Sequence, residues 1–423
     1  MTREEVQAAD LKHVWHPFTQ ADEWEASPPL IIESAKGAVL RDIDGREYLD
    51  GVASLWVGVH GHRHPHVDAA VRAQLDRVAH STLLGLTNRP AVELAAALCN
   101  RTGYDRVFYS DCGSAAVEIA IKLAFQWQQQ RGQTQRTRVA GLRHAYHGDT
   151  LGAVSVGGID LFHAVYRPLL FDALHLPCPA DREDEQALAA QAVAMIREAG
   201  DTLAVLAVEP FVQGAAGMRM HTAAYLEPVM AAAHEVGALV IADEVAVGLG
   251  RLERFLATET TRTRPDLVCL GKGLSNGYLP LAATLATESL YDGFREGYGR
   301  TFFHGHTFTG NPLACAAGLA CLEIFESEGT LAHARKLSAH LARLLTEPLP
   351  HALSVRHQGL MVAIDLEPVL GPRTGHRVCM AARRRGILLR PLGNTLVLMP
   401  PLCMTQEQLT TLLAALTSTL RTV

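Results

Sequence analysis

None of the eight cysteines stands in a CxxC pair, and Cys112, Cys269 and Cys315 lie in apolar or glycine-rich runs. That pattern reads as free thiols in a reducing cytosol, not as a disulfide framework. The chain also lacks a basic block. Its 38 Lys and Arg are mixed with 44 Asp and Glu for a net charge of −6, so neither nucleic acid nor an anionic membrane surface is an expected partner. No apolar run approaches the roughly 18 residues a membrane helix needs. The start, Met1-Thr-Arg-Glu-Glu-Val-Gln, carries charges of both signs without an apolar core and does not read as a signal peptide. Internal repeats and low-complexity segments are missing too. What is present is room: 423 residues can bury a large core and hold a large domain with a smaller one, as in a cytoplasmic globular enzyme.

Short apolar runs alternate with helical patterns through the middle of the chain. Val107-Phe-Tyr-Ser, Val139-Ala-Gly-Leu, Leu203-Ala-Val-Leu-Ala-Val, Leu239-Val-Ile-Ala and Leu267-Val-Cys-Leu read as strands buried on both faces. Between them, Ala116 to Trp127 and Tyr225 to Val236 carry apolar residues at helical spacing. This alternation predicts an α/β fold with a parallel sheet between helices, and ligands of such sheets bind beyond the carboxyl ends of strands. Asp111, Glu209, Asp243 and Lys272 all fall at or just past such ends. After a helix from about Pro312 to Glu326, Met361-Val-Ala-Ile-Asp and Leu396-Val-Leu-Met read as strands of a smaller α+β domain. The expected division is an N-terminal segment 1–60, with an Asp44-Gly45 hairpin and packed on the small domain, a large domain 61–318 and a small domain 319–423.

Lys272 lies between two glycines after an apolar strand, and Asp243 ends the strand before it. A lysine and a carboxylate at adjacent strand ends suit an aldehyde cofactor. The amine bonds the aldehyde carbon, and the carboxylate keeps a pyridine nitrogen protonated. Displaced by a substrate amine, Lys272 would then carry a proton between substrate and cofactor carbons. A nucleotide-phosphate lysine is the alternative, but the GxxxxGK[ST] spacing is absent. Asp243 could instead cap a helix, and Glu244 reads as a structural hydrogen-bond acceptor. Gly113-Ser114 opens a helix after a strand, where free N–H groups suit a phosphate or a plain serine cap. Tyr146, in His144-Ala-Tyr-His-Gly-Asp-Thr150, could stack on a flat ring or simply be buried. Thr301–Pro312 is a polar loop able to give another phosphate ligand, and Arg390 could clamp a carboxylate or make a surface ion pair. His60-Gly-His62-Arg-His64-Pro-His66 raises a metal-dependent hydrolase as a rival, although Gly61 and Pro65 argue for a loop.

Together these residues resemble the class III (ω-type) aminotransferases of pyridoxal-phosphate fold-type I over nearly the whole chain. The ordered set runs from Gly113-Ser114 through Tyr146-His147-Gly148-Asp149, Glu209-Pro210 and Asp243-Glu244-Val245 to Lys272 and Thr307. The resemblance implies a large domain with a mostly parallel seven-stranded sheet flanked by helices, a smaller α+β domain, and a homodimer with shared active sites. It implies catalytic roles for Lys272, Asp243 and Tyr146. Gly113 and Ser114 would hold the cofactor phosphate, Tyr146 and Val245 would sandwich its ring, and His147 and Phe308 would lie beside it. Thr307 would reach the phosphate of the neighbouring subunit's cofactor, and no metal is implied.

Within the class, Trp15-His-Pro-Phe-Thr19, Val212-Gln-Gly-Ala-Ala-Gly-Met218 and Arg390-Pro-Leu-Gly393 are similar to a branch that aminates 8-amino-7-oxononanoate in biotin biosynthesis, usually with S-adenosylmethionine as donor. That resemblance assigns substrate binding to Trp56, Tyr146, Asp149, Arg251, Gly305 and Arg390, with Arg390 on the carboxylate and Arg251 linked to the donor. The better-known members have tyrosine, tryptophan and tyrosine where this chain has Phe18, Leu55 and Val397. Those aromatics suit a bulky sulfonium donor. S-adenosylmethionine is the nominal donor, lysine is an alternative found in a branch sharing Phe18-like features, and a pyruvate-dependent ω-aminotransferase is the nearest rival.

Overall fold

The computed structural model describes residues 1–26, 29–180, 184–369, 371 and 373–423. Three strands open it: β1 (Ile32–Lys36), β2 (Val39–Asp42) and β3 (Glu47–Asp50). The middle of the chain supplies β4 (Arg106–Ser110), β5 (Arg138–Leu142), β6 (Ala173–Leu176), β7 (Leu203–Val208), the short pair β8 (Val212–Gln213) and β9 (Arg219–Met220), β10 (Leu239–Asp243), β11 (Leu267–Leu270) and β12 (Ala282–Ala286). The C-terminal part adds β13 (Ala352–Gln358), β14 (Met361–Leu366), β15 (Ile387–Leu388), β16 (Arg390–Leu392) and β17 (Thr395–Leu398).

Seven strands form the central sheet in the order β4-β12-β11-β10-β7-β5-β6. Only β12 among them runs antiparallel to its neighbours. Every residue of β7, β10, β11 and β12 is buried, which explains why the first three read as unbroken apolar runs. Alternate residues still serve different faces. Val205, Ala207 and Ile241 pack with the helix Gly113–Gln130, whereas Leu206, Val208 and Val240 pack on the other side with the helices Glu185–Ala199 and Ala223–Glu235. Each of the valine, leucine and isoleucine side chains among them stabilises the fold by roughly 1.5–3 kcal/mol. Two strands escape a reading by pattern. β12 is Ala-Ala-Thr-Leu-Ala, too poor in branched and aromatic residues to signal a strand, and β6 is a four-residue edge.

A smaller antiparallel sheet, β13-β14-β17-β16, lies with the helices Thr330–Leu344, Thr374–Arg383 and Gln406–Leu420. The N-terminal strands extend through β15, which runs parallel to β3 with Leu49 opposite Ile387. Backbone bonds from Gly51 N–H to the Leu388 carbonyl (2.9 Å) and from Met399 N–H to the Gly51 carbonyl (2.8 Å) fasten the segment after β3 to the C-terminal part. Residues from both ends of the chain thereby reach the carboxyl edge of the central sheet.

Candidate active site

A cavity of about 460 Å³ opens at the carboxyl ends of the central strands. Lys272 enters it from the turn that follows β11, with its backbone at φ 43°, a left-handed conformation unfavourable for a side-chain-bearing residue. Its ammonium nitrogen sits 5.0 Å from the centre of the Trp56 ring. Burial lowers the proton affinity of Lys272, and the fields of Asp243 and Glu209 oppose that shift. The group is therefore easier to deprotonate than an exposed lysine.

Asp243 closes β10 and holds two partners: His147 Nδ1 lies 2.8 Å from one carboxylate oxygen, and Val245 N–H donates to the other at 3.1 Å. Burial works against a charged His147, but the bond to Asp243 together with the charges of Asp243 and Glu209 outweighs it and raises the proton affinity of the imidazole. Glu244 turns away from the cavity and accepts from the N–H groups of Ala257 and Thr258 and from the Thr258 hydroxyl. Glu209, just past β7, accepts from Tyr146 N–H (2.9 Å) and Gly214 N–H (3.0 Å), and burial pushes its carboxyl up to about 7. The Tyr146 hydroxyl donates to Asp149 at 2.7 Å, and both residues line the cavity.

The helix Gly113–Gln130 points its N-terminus at the same space. Cys112, in the capping position, gives it no side-chain hydrogen bond, so the first-turn N–H groups and the dipole remain available to an anion. A Cβ on Gly113 would come within 2.7 Å of Val245 Cγ1, and one on Gly148 would overlap Ser114. Only glycine fits at these two positions, against the side chains of Val245 and Ser114. An uncapped helix N-terminus, a buried carboxylate and a buried lysine in one cavity fit pyridoxal phosphate: Gly113 and Ser114 would hold its phosphate, Asp243 would pair with its ring nitrogen and Lys272 would bond its aldehyde carbon.

Of the other residues singled out in the sequence, Trp56, Val245 and Arg390 line this cavity. No hydrogen bond or ion pair from the Arg390 guanidinium is found among the described residues. Phe18 and Leu55 also line the cavity, whereas Val397 is fully buried in the core behind it, opposite Arg390 in the β16–β17 pair. Trp56 and Leu55 belong to an unusual segment. Ala53, Ser54, Leu55 and Trp56 have φ of 48, 46, 68 and 69°, a full turn in the left-handed region, at a cost on the order of 1–2 kcal/mol per residue.

Arg251 corrects an expectation. It is 1% exposed and does not line the cavity; its guanidinium is spent on the carbonyls of Pro400 (2.5 Å), Trp56 (3.4 Å) and Met399 (3.5 Å). Gly305, Thr307 and Phe308 are likewise absent from the wall around Lys272. Gly305 lines a second cavity of about 330 Å³ with Leu83, Phe108 and His306, and Phe308 is 60% exposed. The histidines of the 60–66 run form no single cluster, although the His60 and His64 rings stay 6.2 Å apart. His60 packs edge-on against Phe325, while His62, His64 and His66 face Asp50, Glu328 and Glu323. Among the described residues no three His, Cys, Asp or Glu side chains converge as a metal site. Glu209, expected only to fall at a strand end and within the ordered motif set, forms part of the wall. An acid ending a six-residue apolar strand was the available signal, as it was for Asp243.

Fold and cavity together define a pyridoxal-phosphate enzyme of the transaminase type. The family model "Aminotransferase class-III" matches residues 20–420. An adenosylmethionine-8-amino-7-oxononanoate aminotransferase of Nitratidesulfovibrio vulgaris is 50% identical over 432 aligned positions, covering 96% of this chain and 80% of that protein. The crystal structure of the enzyme of that name from Methanocaldococcus jannaschii superposes with a TM-score of 0.94 at 38% identity, covering 100% of both chains. An amine transaminase from an uncultivated Pseudomonas species, in a pyridoxal-phosphate-bound form, superposes with a TM-score of 0.91 at 35% identity, over 97% of this chain and 98% of that one. The chain belongs to the class-III aminotransferases and is a pyridoxal-phosphate-dependent transaminase.

Proposed function

We propose that the chain transfers an amino group to the ketone of 8-amino-7-oxononanoate, forming 7,8-diaminononanoate for biotin biosynthesis, with S-adenosylmethionine as the nominal donor. The observation that carries this reading is the charge layout of one cavity. Arg390, whose guanidinium has no hydrogen bond or ion pair among the described residues, suits a substrate carboxylate, while Asp149, bonded to Tyr146, offers a carboxylate to a substrate ammonium. An amino-oxo acid presents both groups. The names of the relatives at 50% and 38% identity support the same substrate.

Bound pyridoxal phosphate supplies an aldehyde that carries the amino group and a ring that takes up electrons from the reacting carbon. The remaining work falls to side chains. Lys272, its ammonium destabilised by burial, takes and returns the proton at that carbon. Asp243, oriented by His147, holds positive charge on the ring nitrogen. Tyr146 and Val245 would confine the ring between them. Arg390 anchors the far end of the acceptor, so the ketone meets Lys272 at a fixed distance from the carboxylate.

The active unit in this reading is a cytoplasmic homodimer divided at about residues 60 and 318. Exposed Leu84, Phe303 and Phe308 suit a surface buried between two copies, and Thr307 would then reach the partner's phosphate site. Lysine is the second donor to consider, because Phe18 and Leu55 leave the cavity rim without two aromatics suited to a sulfonium. Adding each donor alone to the yellow purified protein separates the cases. Bleaching by S-adenosylmethionine supports the nominal donor, and bleaching by lysine alone replaces it. Bleaching by neither points to another ω-aminotransferase, with pyruvate as acceptor.

A further inference from the structure

The left-handed turn Ala53–Trp56 is held at both ends by buried charge outside the cavity. At its start, Asp50 is fully buried and accepts from Val52 N–H (3.1 Å) and the Ser54 hydroxyl (3.0 Å), while His62 Nε2 lies 2.9 Å from the same carboxylate. At its end, Arg251 donates to the Trp56 carbonyl and, on the opposite side, to the Pro400 carbonyl. The carboxylate and the guanidinium have no direct ion pair, yet Asp50 is the main charge offsetting the burial of Arg251. Between them the chain cannot relax to an ordinary right-handed turn without releasing Asp50 from Ser54 or Arg251 from Trp56.

What the turn presents matters for the reaction. Leu55 and Trp56 are both cavity wall, and the Trp56 ring faces the Lys272 ammonium. On the far side of Trp56, Gly214 opens the loop that bears Ala215, another wall residue; a Cβ there would lie 3.2 Å from the indole. A right-handed backbone at 53–56 would swing these two side chains off the wall.

We infer that Asp50, His62 and Arg251 form a clamp that stores the left-handed turn and thereby sets the amine-donor wall made by Leu55 and Trp56. Asp50 and Arg251 are positioning residues: they touch neither substrate nor cofactor and act through Trp56. The inference rests on the proposed function for assigning this wall to the amine donor, and on the hydrogen bonds of Asp50, His62 and Arg251 with the left-handed backbone for the clamp.

The test is Asp50→Asn in the full-length holoenzyme, with His62→Gln as a milder second variant in case the first does not fold. The expected result is a rise of tenfold or more in the donor KM, with kcat at saturation within about threefold of wild type. Pyridoxal-phosphate affinity, read by absorbance titration of the apo protein, should also stay within about threefold. A crystal structure of the variant should show residues 53–56 out of the left-handed region. A variant structure with φ still positive at all four residues overturns the clamp, whatever the kinetics. An unchanged donor KM, or equal losses in donor KM, kcat and cofactor affinity, reduces Asp50 to a general structural role and overturns the positioning claim. Wild-type protein that no amine bleaches would instead defeat the transaminase reading, and the variant structure would still decide the clamp.

Discussion

Lys272 combines three features that rarely coincide: a left-handed backbone, a buried ammonium and an aromatic ring under the nitrogen. A lysine held this way has no cheap alternative position, which suits a group that must return to one carbon in every cycle. Lys272→Ala is expected to abolish turnover and to shift the visible absorption band that depends on the lysine–cofactor bond, checked by assay and visible spectrum; normal turnover would refute its role. Arg390→Ala should raise the acceptor KM by roughly 10–100-fold, the loss expected for one charge-assisted bidentate contact worth about 1.5–3 kcal/mol, with little change in donor KM. A steady-state comparison of the two substrates tests this. Away from the cavity, His221 accepts from Phe211 N–H at 3.1 Å, and burial holds its proton affinity down, from 6.5 to about 3. As pH falls below 6.5 the unfolded chain binds a proton that folded His221 refuses, so this group lowers stability progressively toward pH 3. Glu209, raised from 4.5 to about 7, has the opposite slope, keeping its proton in the folded state and costing stability as pH rises through that window. Because the two oppose, the informative quantity is the difference between wild type and His221→Gln. The variant's melting temperature should fall less steeply on acidification.

At the scale of elements, the proposed phosphate cradle is a helix start packed closely on a loop, with glycines where they meet. The first turn of the helix Gly113–Gln130 meets the loop at Gly148, which lies directly against Ser114. Gly148 has φ 111°, and a Cβ there would also overlap Ser114. Gly148→Ala should therefore weaken pyridoxal-phosphate binding by at least tenfold while the central sheet stays folded, as measured by absorbance titration and far-ultraviolet circular dichroism. Glu118, one turn into the same helix, accepts from Gly152 N–H at 2.7 Å and ties this loop down from the other side. Motif residues far apart in sequence are thus placed by a few rigid elements. The strands were legible where apolar residues were continuous, as in β7 and β10, and not where alanine dominated, as in β12. Alanine carries little strand preference of its own, so neighbours on both sides decide its state.

For the molecule as a whole, the single chain gathers Lys272, Asp243, Tyr146 and Arg390 but leaves Thr307 and Phe308 outside that cavity. If two copies complete each other's sites, mixing Lys272→Ala with Thr307→Glu should restore activity, because one site of each hybrid dimer then has a normal lysine and a normal threonine. Recovery toward a quarter of wild type is expected after subunit exchange; no recovery at all would argue for self-contained sites. The exposed Leu84 at 77% is a simple companion probe, since Leu84→Glu should shift the sedimentation coefficient toward that of a monomer.

The sequence by itself determined the alternation of apolar strands and helices, the acids at strand ends, the lysine between glycines and hence the class of chemistry. These are local patterns, imposed by burial on both faces of a parallel sheet and by the needs of one cofactor. Only the tertiary structure decided where long-range partners fall. It took Arg251 out of the cavity, because carbonyls of Trp56 and Pro400 occupy its guanidinium, and it placed Val397 behind the wall rather than in it. It also showed four consecutive non-glycine residues in a left-handed turn at 53–56. No local propensity favours that conformation; it persists because Asp50, His62 and Arg251, distant in the chain or on other elements, are brought against it by the fold.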